Sequence, residues 1–130
     1  MATLGMNHFT VLTDDVARTV EFYRDFVGLS DGYRPDLGFP GAWLYAGEQA
    51  ILHVIGGKSR EDLKPGVIDH MAFTATGLPA TIEKLTAHGI HHACRQQAGT
   101  RLWQVFYSPA VVFLRCGKAG RWETLRFGFP

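Results

Sequence analysis

His8 and His70 are the residues whose type and setting point most directly to metal chemistry, because the same local pattern surrounds both, 62 positions apart. His8 lies in Met6-Asn7-His8-Phe9-Thr10-Val11-Leu12 and His70 in Ile68-Asp69-His70-Met71-Ala72-Phe73-Thr74. Both segments alternate with the period of a β-strand. Each histidine therefore shares a face with a small or polar residue, Thr10 or Ala72, while Phe9 and Val11, or Met71 and Phe73, turn to the other side. A strand duplicated with one imidazole per copy is a way to build a symmetric metal site. The remaining histidines serve this chemistry less well. His91 and His92 are neighbours on a strand, point to opposite faces and cannot chelate one ion together, and His88 falls where it would serve a helix C-terminal dipole. Ser59 and Ser108 have no GxSxG elbow, and no phosphate loop or dinucleotide fingerprint occurs. Cys94 and Cys116 lack CxxC spacing and read as free thiols.

The elements that would position the two histidines repeat as well. After the first strand, Val16, Val20, Tyr23 and Val27 fall at helical spacing between a Thr13-Asp14 capping start and Gly28 as a stop; after the second, Leu78, Ile82 and Leu85 do so between Pro79 in the first turn and Gly89. Thr19-Val20-Glu21 and Thr81-Ile82-Glu83 coincide at the same offset. A short edge strand is expected from Leu29 to Arg34, then a loop from Pro35 to Gly41. A hairpin of 42–45 and 50–55 follows around Gly47-Glu48. The second helix leads into strands at 90–95, 102–107 and 111–116, with a further one at 121–127. The pattern is β-α-β-β-β written twice: module 1 over about 6–56, a polar linker over 57–66, module 2 over about 67–116 and a divergent tail over 117–130.

Composition places these modules in one ordinary domain. At 130 residues, 46% hydrophobic and 19% charged, the chain can bury a core without disulfides or metals. A formal net charge of +1, with scattered Lys and Arg, gives no reason to expect nucleic acid or an anionic membrane as partner. No apolar run reaches the length of a membrane span, and the first residues lack a secretion signal, so a cytoplasmic protein is expected.

The segments Asn7-His8-Phe9-Thr10-Val11, Thr19 to Leu29 (with Phe22-Tyr23-Arg24-Asp25 ahead of Gly28-Leu29), Phe39 to Tyr45, Ile51-Leu52-His53 and Asp69-His70-Met71-Ala72-Phe73 resemble the vicinal oxygen chelate superfamily. That superfamily includes glyoxalase I, extradiol dioxygenases, and fosfomycin- and bleomycin-resistance proteins. The resemblance implies an α+β fold of tandem βαβββ modules whose sheets curl around a cavity, often dimerisation, and a divalent metal (Zn, Ni, Fe or Mn) held by side chains from four strands. The positions that match the family's ligands are His8, His53 and His70.

The fourth ligand is where the chain departs from the family. The 45 residues from His8 to His53, counted again from His70, lead to Arg115, where the family has a carboxylate. Either Glu123 supplies that carboxylate from a later strand, serving as metal ligand and catalytic proton carrier, or Arg115 occupies the cavity and clamps an anionic group on the substrate. Trp43, Tyr45 and Trp103 would give the cavity an aromatic wall. Three functions are implied: a metal-dependent lyase or isomerase resembling glyoxalase I, first in rank; a non-catalytic binder of small molecules resembling the bleomycin-resistance proteins; and an extradiol-type dioxygenase. Each takes a small-molecule ligand, and a homodimer is expected.

Overall fold

A computed structural model describes residues 1–63, 71–96, 103–107 and 110–114, the last segment by its backbone. Its elements are β1 (Phe9–Leu12), α1 (Val16–Phe22) continuing into a π-helical turn (Tyr23–Val27), β2 (Ser30–Asp31), β3 (Gly41–Ala46), β4 (Gln49–Ile55), a 3-10 turn (Arg60–Asp62), β5 (Ala72–Ala75), α2 (Leu78–Ala87), β6 (His92–Gln96), β7 (Trp103–Tyr107) and β8 (Ala110–Leu114). The expected strand at 121–127 lies outside the described residues.

The strands form two open four-stranded sheets of the same order, β1-β4-β3-β2 and β5-β8-β7-β6. In each, the first strand pairs parallel with the last, and the other neighbours are antiparallel. The fold is thus α+β with the same unit built twice, as expected. Alternation along the strands separates the faces. Leu44, Leu52 and Val54 turn one way and are fully or almost fully buried, and Val20 and Tyr23 are buried in the same core as these three. Burying a leucine of this kind contributes about 1.5–3 kcal/mol.

The two halves share that core. Phe73, Leu85, Val105 and Tyr107 from the second unit join it, and the Tyr107 hydroxyl donates to the Phe26 carbonyl oxygen at 2.7 Å. Burial of Tyr107, with a smaller effect of Tyr23, pushes its pKa up to about 12.

Local chemistry differs from expectation at three points. Asp15 is the N-cap of α1, its carboxylate accepting from the Arg18 N–H at 3.0 Å. The buried Thr13 hydroxyl instead braces the preceding turn, donating to the Asp15 carbonyl at 3.0 Å and lying 2.7 Å from Thr19 Oγ1. The helix widens to π geometry at Tyr23 before it stops, as expected, at Gly28, whose φ of 83° suits a residue without Cβ. β2 keeps only Ser30 and Asp31 of the expected edge strand, and Gly32 follows immediately. A Cβ on Gly32 would be 2.6 Å from the Tyr45 ring.

Candidate functional site

The candidate residues His8, His53 and Trp43 share the face of the first sheet that is turned away from Leu44, Leu52 and Val54. His53 and Trp43 are directly opposite each other on β4 and β3, and Thr10 is opposite His53 on β1. The rings form a continuous stack: His8 lies on His53 with centroids 3.8 Å apart and 15° between planes, and Trp43 covers the other side at 4.2 Å and 8°. β1 begins at Phe9, one residue after His8, yet the His8 side chain stays on the strand face that alternation predicts. Tyr45 continues β3 from Trp43, and its hydroxyl donates to the Tyr33 carbonyl oxygen at 2.6 Å.

The surroundings orient the imidazoles. Gln49 Nε2 donates to the Asn7 carbonyl oxygen at 2.7 Å, tying the segment ahead of β1 to the β3–β4 turn. The Asn7 side-chain oxygen in turn accepts from His8 Nδ1 at 2.7 Å. With Nδ1 carrying the proton, the lone pair of His8 is on Nε2. Burial lowers the His53 pKa, the charges of His8 and Arg34 act in the same direction, and a hydrogen bond to the Ala50 backbone opposes them. The neutral imidazole that results is the form that binds metal ions.

The imidazole is a donor type suited to a divalent ion. An imidazole ligates through a lone pair in the plane of its ring, so stacking on the ring faces leaves the donor edges open. No group of three or more His, Cys, Asp or Glu side chains converges among the described residues; His70, Arg115 and Glu123 lie outside them. β8, whose sequence is Ala110-Val111-Val112-Phe113-Leu114, contains no metal-ligating residue type. Its register places Val111 opposite Ala72 and Phe106, the position that His53 holds opposite Thr10 and Trp43.

Trp103 lies on β7 of the second sheet, opposite Gln96 and Leu114, and is partly buried there. His88 caps α2: its Nδ1 donates to the Lys84 carbonyl oxygen at 2.8 Å, and its ring meets Phe26 edge-on at 5.2 Å. Cys94 is a free thiol, its pKa raised by burial. A cavity of about 570 Å³ lies between the units, bordered by His8, Gln49, Gly28 and residues 72–76. His8 is its link to the ring stack.

Sequence reasoning missed Arg34. Its guanidinium donates to the Phe39 carbonyl oxygen at 3.1 Å and sits 4.8 Å from the Phe39 ring centroid, beside Gly41 on the same sheet face. The signal was faint, a single arginine in a loop rich in Gly and Pro.

Among the described residues, no helix is long and apolar enough to cross a membrane. Over 118 residues the chain is 29% identical to Glyoxylase I 4 of Arabidopsis thaliana, covering 85% of this chain and 67% of the relative. Its fold is similar to that of the genomically encoded fosfomycin resistance protein FosX of Listeria monocytogenes, with a TM-score of 0.65 at 15% identity over 91% of this chain and 96% of that one. It is similar also to a putative glyoxalase family protein of Bacillus anthracis, with a TM-score of 0.67 at 18% identity over 88% and 95%. Residues 5–110 match the family model of the Glyoxalase/Bleomycin resistance protein/Dioxygenase superfamily, and the chain belongs to that family.

Proposed function

We propose that this protein is a metal-dependent lyase or isomerase of the glyoxalase type, acting on a small molecule that offers two oxygens to the ion. The observation that carries the reading is the pair of stacked imidazoles, His8 and His53, with ring centroids 3.8 Å apart on the sheet face opposite the core. His70 is the third donor in this reading. Glu123 is the fourth donor and the carrier of the substrate proton, with Arg115 as the alternative occupant of its position. A divalent ion, Zn, Ni, Fe or Mn, supplies Lewis-acid polarisation of a substrate oxygen. The chain's own residues do the rest: Asn7 holds the His8 tautomer, while Trp43 and Tyr45, with Trp103 from the second unit, give an apolar wall that orients substrate and limits water. Support comes also from the glyoxylase relative and from a FosX crystal structure, of similar fold, that is described as a complex with Mn(II) and a dihydroxypropylphosphonic acid.

A homodimer in the cytoplasm belongs to the same reading. Leu12, Tyr33 and Phe39 are 52%, 77% and 42% exposed in the first unit, an apolar rim that a second copy would cover.

The test is metal content by mass spectrometry on untagged protein, beside His8→Ala and His53→Ala. About one equivalent in the parent, lost in both variants, supports the reading, and iron as the ion would move the chemistry toward ring-opening oxygenation. Protein that refuses added Ni, Zn, Fe(II) and Mn would sink it. The non-catalytic binder then stands, which the continuous His8–His53–Trp43 stack favours as a platform for a planar ligand.

A further inference from the structure

Arg34 is a partly buried cation with no salt-bridge partner among the described residues. Among the described residues the one ion pair is Arg24–Asp25, on an exposed helix turn. Arg34 spends one of five N–H donors on the Phe39 carbonyl oxygen and rests on the Phe39 ring. Neither contact neutralises its charge. The guanidinium packs against Gly41: a Cβ there would stand 3.2 Å from Arg34 Nη2 and 3.3 Å from Cζ, and closer still to the Val54 carbonyl oxygen, which is what excludes a side chain at this position. Gly41 precedes Trp43 by two residues on β3, and Trp43 is opposite His53. One pleat repeat, about 6–7 Å, therefore separates the strand position that seats the guanidinium from the ring stack.

Arg34 lies close enough to His53 for its charge to act on the imidazole. Withdrawing a guanidinium from water without a counter-charge is unfavourable, and an incoming anion would offset that cost.

We propose that Arg34 anchors an oxyanion carried by the ligand of the His8–His53–Trp43 face, so that the ligand is a small carboxylate, phosphate or phosphonate and not a neutral or cationic molecule. This assignment rests on the reading of that face as the ligand site. The anion sits about one pleat from the ring stack, which selects ligands whose charged group lies a few bonds from the part held by the rings.

The experiment is a chemical-shift titration of the Trp43 indole N–H, assigned with Trp43→Phe, in the parent protein, Arg34→Gln and Arg34→Lys. The probes are phenylphosphonate, benzoate and benzyl alcohol. Saturable phenylphosphonate binding is expected, weakened by about tenfold or more in Arg34→Gln and partly recovered in Arg34→Lys, with benzyl alcohol binding all three equally and far more weakly than phenylphosphonate binds the parent. Benzoate saturating in place of phenylphosphonate, with the same dependence, supports the assignment with a carboxylate as the group. Anion binding indifferent to Arg34→Gln, absence of anion binding, or equal weakening of benzyl alcohol would overturn it, the last by showing that Arg34 only braces the loop. If Arg34→Gln does not fold, selective weakening of the anion in Arg34→Lys decides the matter in the same way. Metal content of the same proteins separates the two readings. Metal bound without Arg34-dependent anion binding removes this assignment alone, and Arg34-dependent anion binding by protein that takes up no metal removes the metal reading alone.

Discussion

In the first sheet β4 brings His53 opposite Thr10 and Trp43; in the second, β8 brings Val111 opposite Ala72 and Phe106. Strand order and pairing directions agree between the halves, while the side chains delivered to matching positions do not. The spacing shows how this arises. Thr10 to Ala72 is 72 − 10 = 62 residues, and His53 to Val111 is 111 − 53 = 58, so the second unit reaches its last strand four residues sooner. A duplicated backbone therefore keeps the same register in both halves while its last strand presents a histidine in one and a valine in the other. The first half also carries the exposed apolar rim.

The largest effect expected on this comparison comes from the shared core. Leu52→Ala in the first unit and Leu85→Ala in the second, both fully buried, should each cost about 2–5 kcal/mol, read from urea unfolding. Because one cluster contains both residues, each substitution should shift a single transition. Two separated transitions would show that the halves are independent. Next, Val111→His puts an imidazole type at the register position of His53 and should tighten Ni(II) binding by about tenfold, measured by calorimetry. Unchanged affinity would mean that matching register does not make matching sites. Tyr107→Phe removes the hydrogen bond between halves and should cost about 0.5–1.5 kcal/mol. The smallest effect is its pH signature. An unfolded tyrosine ionises near its ordinary value of 10.0 while the folded one holds its proton to about 12, so stability is full below 10 and falls as pH rises through that window. Urea midpoints of Tyr107→Phe between pH 10 and 12 should fall less than those of the parent.

What could be read from the chain was what repeats. The strand alternation around His8 and the stops at Gly28 and Gly89 follow from local chemistry, and both appear in the structure. His53 came from family resemblance, because one histidine in an apolar strand has no local signature. The short β2 was not legible, because the packing of the Tyr45 ring against Gly32 is invisible in the local sequence. A constant offset pointed to Arg115 because four residues lost between α2 and β8 leave no mark that counting can detect; only pairing with β5 reveals them. Arg34 was hidden for a different reason, since its place depends on packing against β3, which begins seven residues later at Gly41.

The π-helical turn at Tyr23–Val27 has a consequence for how the chain acquires its structure. Carbonyls at the end of a helix have no partner within it, and the one on Phe26 is met by a hydroxyl 81 residues later. A nascent chain that has emerged only through the first unit has its helix but not the group that closes it. The first unit should therefore remain loosely packed until the second is synthesised. Completion of the final strands, not of the first helix, would then mark the moment at which the ring stack becomes rigid.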